Sequence, residues 1–234
     1  MTDPADRDWG EAPPSMTPPD LLREPPATAR GARTRAALVA AARTVFERDG
    51  YLDVRLADIA REAHCATGSF YTYFANKEEI LAAVLDEAQE EMLHPGVNRL
   101  RESDDPYRIL EASNRAYLEA YRRNAKLMGL LEQVAQVDRR FADYRSRRAE
   151  AFIRRNARGI AELQSRGVAD AAIDALLASR ALSGMVSRLA YSVFVRDEAG
   201  AVDFGELVDT VTRLWANALR FSDVPAARGG EELS

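Results

Sequence analysis

Residues 56–77 read LADIAREAHCATGSFYTYFANK, and this stretch decides the fold. Leu56, Ile59, Ala60 and Ala63 recur at helical spacing. Phe70 and Phe74 form a second apolar stripe after a short break, with Tyr71 and Tyr73 off that face. Two short helices joined by a tight turn, the second small and hydroxylated on its open face, are the layout of a helix-turn-helix. A helix fits the major groove only if its docking face lacks bulk. Thr67, Gly68 and Ser69 supply hydroxyls without bulk, and Thr72 lies on the same face one turn on. Tyr71 and Tyr73 can donate to phosphates, and Lys77 adds a point charge at the next helix start. Singly, a tyrosine at helical spacing is more often packing and a lysine there is often only solvated. Together, and behind a basic segment, they favour a groove reader.

Working outward, Leu38, Ala41, Ala42, Val45 and Phe46 mark an amphipathic helix over 34–49, ended by Gly50. Arg30, Arg33 and Arg35 precede or open it and read as a short basic arm suited to phosphates or the minor groove. Phe70 and Phe74 are expected to pack on Val45, Phe46 and Ile59. Asn76 caps a fourth helix with Ile80, Leu81, Val84 and Leu85 inward, and His94, Pro95 and Gly96 stop it. Beyond it the chain is helical throughout: 106–123, opened by Asp105 and Pro106; about 126–135; a long arginine-rich helix from Asp138 closed by Gly167; about 170–195; and 204–221. No alternating strand pattern and no internal repeat is present. The fold class is all-α, with a three-helix head over 33–80 and a larger body over 81–222. Tails cover 1–32, which is proline-rich, and 223–234; both are expected to be disordered.

The chain of 234 residues is 47% hydrophobic and 29% charged, with net charge −5. It is therefore no basic nucleic-acid coat, though a small head can be locally basic on an acidic body. One cysteine, Cys65, excludes an intrachain disulfide and fits a reducing compartment. His64 and His94 are far apart, so no metal site is expected. No apolar run is long enough for a membrane span, and no secretory signal is evident, so a cytoplasmic protein without membrane association is expected. No nucleophile–base pair stands out, so no catalytic residue and no cofactor is assigned.

Over residues 34–85 the chain resembles the DNA-binding domain of the TetR family of bacterial transcriptional regulators. The resemblance is carried by Phe46 with Gly50-Tyr51, Ile59-Ala60, Ala63-His64-Cys65, Thr67 through Phe74, and Lys77. It departs from the family pattern at three places. His64 replaces the turn glycine, which costs about 1–2 kcal/mol in a left-handed conformation. Ala66 replaces the serine that opens the reading helix. Arg55 replaces a capping threonine, exchanging a hydroxyl for a cation that can reach a phosphate or base. Cys65 stands where the family places a buried valine and reads as a small apolar plug.

The resemblance implies a homodimeric regulator, with a repressor expected, that binds a palindromic double-stranded operator through Arg33, Arg35, Arg55, Thr67, Gly68, Ser69, Tyr71, Thr72, Tyr73 and Lys77. It implies a dimer interface on the last two helices, for which Ala178, Ala181, Leu182, Met185, Leu189, Phe194, Leu207, Val211, Leu214, Trp215 and Leu219 are suited. It also implies a pocket for a small hydrophobic effector, with Tyr117, Tyr121, Met128, Leu131, Phe141, Tyr144, Phe152 and Tyr191 as apolar lining and Asn114 and Glu132 as polar anchors. Each of these could equally be plain core. A ligand-independent DNA-binding dimer, whose body serves only dimerisation, stands as the alternative.

Overall fold

The first helix, α1 (Ala29–Asp49), starts earlier than the sequence pattern suggests. Thr28 is its N-cap, its hydroxyl accepting the Gly31 amide at 3.1 Å. Pro26 folds back so closely that a Cβ on Gly31 would lie 2.8 Å from the Pro26 Cβ. The boundary expected at 32 therefore falls inside a helix, and the arginine arm is helical rather than extended. The proline-rich composition ends at Pro26, and the cap at Thr28 lets the Ala-Arg run that follows join the helix.

In this computed structural model the described residues are 21, 24, 26–93, 105–198, 200 and 202–221. The stop expected at His94–Gly96, the C-terminal tail and most of the N-terminal tail lie outside them. After α1 come α2 (Leu56–Glu62), α3 (Thr67–Tyr73), α4 (Lys77–Leu93), α5 (Pro106–Arg123), α6 (Ala125–Val134), α7 (Arg139–Ser165), α8 (Ala175–Phe194) and α9 (Phe204–Ala218). Every regular element among the described residues is helical, as the sequence predicts. None is long and apolar enough to cross a membrane.

Two compact units are present, one formed by residues 1–90 with 129–151 and one by 91–128 with 152–234. The first has as its core Leu38, Val45, Phe46, Ile59, Phe70, Ile80, Leu81, Leu85, Phe141 and Tyr144, all essentially inaccessible. The second buries Leu118, Tyr121, Leu182, Val186, Leu207, Val208, Val211, Trp215 and Leu219. A buried side-chain bond crosses its α5–α9 contact, from Asn114 Nδ2 to Thr212 Oγ1 at 3.2 Å.

Capping follows the acidic and hydroxyl residues. Asp105, Asp174 and Asp203 accept the amides of Tyr107, Leu177 and Glu206 at the starts of α5, α8 and α9. Asp138 does the same for Arg140 at 2.9 Å before α7. The Arg140 guanidinium, bonded to that carboxylate at 2.7 Å, holds the Asp138 carboxyl below the usual range.

The ends of α2, α7 and α9 share one device. At α2, His64 N–H donates to Arg61 O at 3.1 Å and Cys65 N–H to Ala60 O at 2.9 Å. This is the paired Schellman closure, which needs a left-handed residue at its centre. Gly167 (φ 71) takes that place after α7, but Arg220 (φ 55) and His64 (φ 52) take it after α9 and α2. The strain foreseen at His64 is thus present. We expect His64→Gly to stabilise the protein by about 0.5–1 kcal/mol, the relief of the left-handed strain less glycine's greater freedom when unfolded. A thermal melt checks it, and an unchanged or lower midpoint would remove the argument.

Candidate nucleic-acid interface

The α2–turn–α3 segment owes its rigidity to three features. Asp58 reaches back from the first turn of α2 to accept the Arg55 amide at 3.2 Å, and its other oxygen accepts Arg61 Nη2 at 2.6 Å. The Schellman closure fixes the turn. The buried Phe70 and Phe74, with ring centroids 5.8 Å apart, anchor α3 from within.

With that face inward, the opposite face of α3 is open. Thr67, Gly68 and Thr72 are exposed, Ser69 and Tyr73 are half-buried, and Tyr71 is 54% exposed with its ring edge-on to Phe70 at 5.7 Å. The structure therefore gathers the small and hydroxylated residues on one surface, flanked by phenols. Ala66, the N-cap of α3, makes no side-chain bond to the helix start, and Cys65 is half-buried rather than fully buried as a plug would be.

The cations differ among themselves. Arg33 and Arg55 are exposed, Arg33 in α1 and Arg55 as the N-cap of α2. Arg35 is half-buried, with its guanidinium carbon 5.1 Å from the centroid of the Phe74 ring. Stacking of that kind leaves the planar edge of a guanidinium able to donate. Lys77 is placed otherwise than expected. Its ammonium donates to Tyr51 O at 2.7 Å, Val54 O at 3.1 Å and Leu52 O at 3.3 Å, so its side chain is spent on the α1–α2 loop and not turned toward a phosphate. Sequence carries no mark of this, because the acceptors are backbone carbonyls.

Of the expected pocket residues, Asn114, Tyr117, Tyr121, Met128, Phe152 and Tyr191 belong to the second unit. There Tyr117 meets Tyr121 at 5.9 Å and Phe152 at 5.5 Å, and Tyr121 meets Phe194 at 6.4 Å. Leu131, Glu132, Phe141 and Tyr144 belong to the first. Glu132 pairs with Arg145 at 2.7 Å, and the buried Tyr144 hydroxyl reaches Gln89 Oε1 at 3.4 Å. Burial is the main cause that pushes the Tyr144 phenol far above its ordinary value.

The expected interface residues need correction. Leu182, Leu207, Val211, Trp215 and Leu219 are buried within the chain itself and so cannot form its surface. Ala178, Met185, Leu189 and Phe194 are partly accessible, and Ala181 and Leu214 are exposed. Leu177, 67% exposed, and Leu176 are apolar surface on α8 that the sequence reading passed over. An α-helix with apolar residues on two faces gives no periodic sign of which face turns inward.

The sequence model of a family described as bacterial regulatory proteins, tetR family, matches residues 38–84. The regulator TtgR of Pseudomonas putida is 34% identical over 88 residues, which span 38% of this chain and 41% of that protein. The chain thus matches less than half the length of that relative. EthR of Mycolicibacterium smegmatis is 23% identical over 186 residues, covering 79% of this chain and 85% of its own. Among solved structures, the fatty acid degradation regulator FadR from Bacillus halodurans superposes with a TM-score of 0.66 at 21% identity, over 80% of this chain and 97% of its own. A TetR transcription regulator from Haloarcula marismortui gives 0.67 at 19% identity, over 81% and 97%. At those identities the likeness is one of fold. Residues 38–84 thus carry the sequence pattern of the tetR family of bacterial regulatory proteins, and the fold of the chain is that of a TetR regulator of known structure.

Proposed function

We propose that the chain is a cytoplasmic, homodimeric transcriptional regulator, a repressor that binds a palindromic operator and is released by a small hydrophobic effector. The observation that carries the DNA-binding part is the exposed Thr67-Gly68-Thr72 face of α3, held outward by Phe70 and Phe74. Thr67, Gly68, Ser69 and Thr72 meet base edges. Tyr71, Tyr73, Arg33, Arg35 and Arg55 meet the phosphate backbone. Two heads joined through the accessible apolar residues of α8 and α9 read two half-sites at fixed spacing. The effector site is supported by the aromatic run of Tyr117, Tyr121, Phe152 and Phe194, with Asn114 on the same helix as the two tyrosines. An effector acts only through its differential affinity for the two states of the dimer.

The nearly complete burial of Leu131, Phe141 and Tyr144 favours a second reading for those residues, as packed core in a ligand-independent dimer. Titrating hydrophobic metabolites into a gel shift on DNA flanking the protein's own coding region separates the two. Loss of the shifted band supports release by an effector, and a band indifferent to every metabolite supports the dimer that needs none.

Base readers and phosphate clamps behave differently under substitution. Thr67→Ala is expected to change preference among operator variants by about 1–3 kcal/mol at one or two positions, whereas Tyr71→Ala weakens binding to all of them alike. Equal effects of the two substitutions across such a panel would refute the assigned roles.

A further inference from the structure

Two successive residues of α4 grip both ends of Tyr51. Lys77 donates to its carbonyl at 2.7 Å and lies 4.5 Å from the centroid of its ring. Glu78 Oε1 accepts the Tyr51 hydroxyl at 2.9 Å. Burial, reinforced by that carboxylate, holds the Tyr51 phenol protonated far above its ordinary range. An ammonium has three N–H donors and no acceptor, and here Tyr51, Leu52 and Val54 carbonyls take all three. The loop they belong to leaves α1 at Gly50, whose φ of 77 ends that helix, and delivers Arg55, the N-cap of α2.

We infer that Lys77, with Glu78, is a positioning residue of the DNA-binding head: it latches the Tyr51–Val54 loop to α4 and so fixes α2 and Arg55, without itself neutralising a phosphate. This rests on the proposed DNA-binding reading, and it assigns Lys77 a role that works through its neighbours. Without the ammonium, three carbonyls lose a charged donor and the loop can leave α4. Arg55 then starts from a scatter of positions.

Salt dependence separates this from direct contact. Each neutralised phosphate adds about 0.9 to the slope of log affinity against log salt concentration. Lys77→Met keeps the aliphatic stem and removes the charge. Full-length wild type, Lys77→Met, Arg55→Ala and the double variant are titrated with operator DNA by fluorescence anisotropy from 50 to 200 mM salt, at a temperature where circular dichroism shows each folded. Lys77→Met is expected to lose about tenfold in affinity at every salt concentration with an unchanged slope. Most of that loss is expected to vanish in the Arg55→Ala background, since coupled residues are not additive. A slope lowered by about 0.9, or full additivity with Arg55→Ala, overturns the inference. Hydrogen exchange on the free protein is the second readout. Faster exchange at residues 51–58 in Lys77→Met supports the latch, and unchanged exchange overturns it even if wild type binds no DNA, a result that would instead sink the DNA-binding reading. Should Lys77→Met fail to fold, Tyr51→Phe, which removes only the bond to Glu78, is expected to show the same pattern at about threefold, and unchanged affinity and exchange in it overturn the inference.

Discussion

Phe70→Ala is expected to unfold the head and abolish DNA binding. Phe70 has no solvent exposure and contacts the rings of both Tyr71 and Phe74. It sits at the middle of α3, a helix of seven residues with no side-chain cap at its start. A helix that short has no stability of its own in water and exists only because its apolar face is buried. Truncating a buried phenylalanine to alanine costs about 3–5 kcal/mol, a large part of the stability a domain possesses. The thermal midpoint of the first unit should fall by about 10–20 °C, and anisotropy should register no operator binding at temperatures where wild type binds. A midpoint lowered by only about 3 °C, with binding retained, would mean that α3 is held by something other than its aromatic face.

The second large effect concerns assembly. Leu177→Glu combined with Leu214→Glu is expected to yield monomers. Both side chains are substantially exposed, at 67% and 44%, so the chain can fold with carboxylates there. A second copy seated on α8 and α9 would have to bury those charges without partners, at a cost of several kcal/mol. Operator affinity should then fall by a factor of about 10²–10⁴, the advantage of tethering two heads. Sedimentation velocity reads the mass directly. An intact dimer in the double variant would place the interface elsewhere. Leu182→Glu makes a useful contrast: that residue is buried within the chain, so the substitution should unfold the protein rather than split it.

How much of this was legible in the sequence differs by region, for physical reasons. The head was readable because its constraints are local. Apolar spacing over Leu56–Ala63, the pair Phe70 and Phe74, and small residues between them each leave a mark in the order of residues. The left-handed turn was readable as well, because the position of His64 in the pattern exposed an unfavourable choice that the structure retains. The start of α1 was not, since Thr28 closely follows a proline-rich segment and only the fold shows which signal prevails. Which apolar residues of α8 and α9 lie at the surface was not legible, because hydrophobicity reports that a face is covered, not by what. Leu182 and Leu177 look alike in sequence, yet one is core and the other is surface. Lys77 escaped for a different reason: every residue supplies a carbonyl, so a cage of carbonyls has no composition.

The early start of α1 bears on how the arginines at its beginning would engage DNA. An unstructured arm must be ordered when it binds, at about 1–2 kcal/mol of backbone entropy for each residue fixed. Here Thr28 and Pro26 have already set the backbone from Ala29 onward, so Arg30, Arg33 and Arg35 ride on a rod about 9 Å long instead of a tether. On the proposed DNA-binding reading, that cost is met when the chain folds and is not met again at an operator. The same rigidity narrows what the arm can do: it cannot adapt to alternative phosphate spacings, and discrimination by DNA shape becomes available to residues that touch no base.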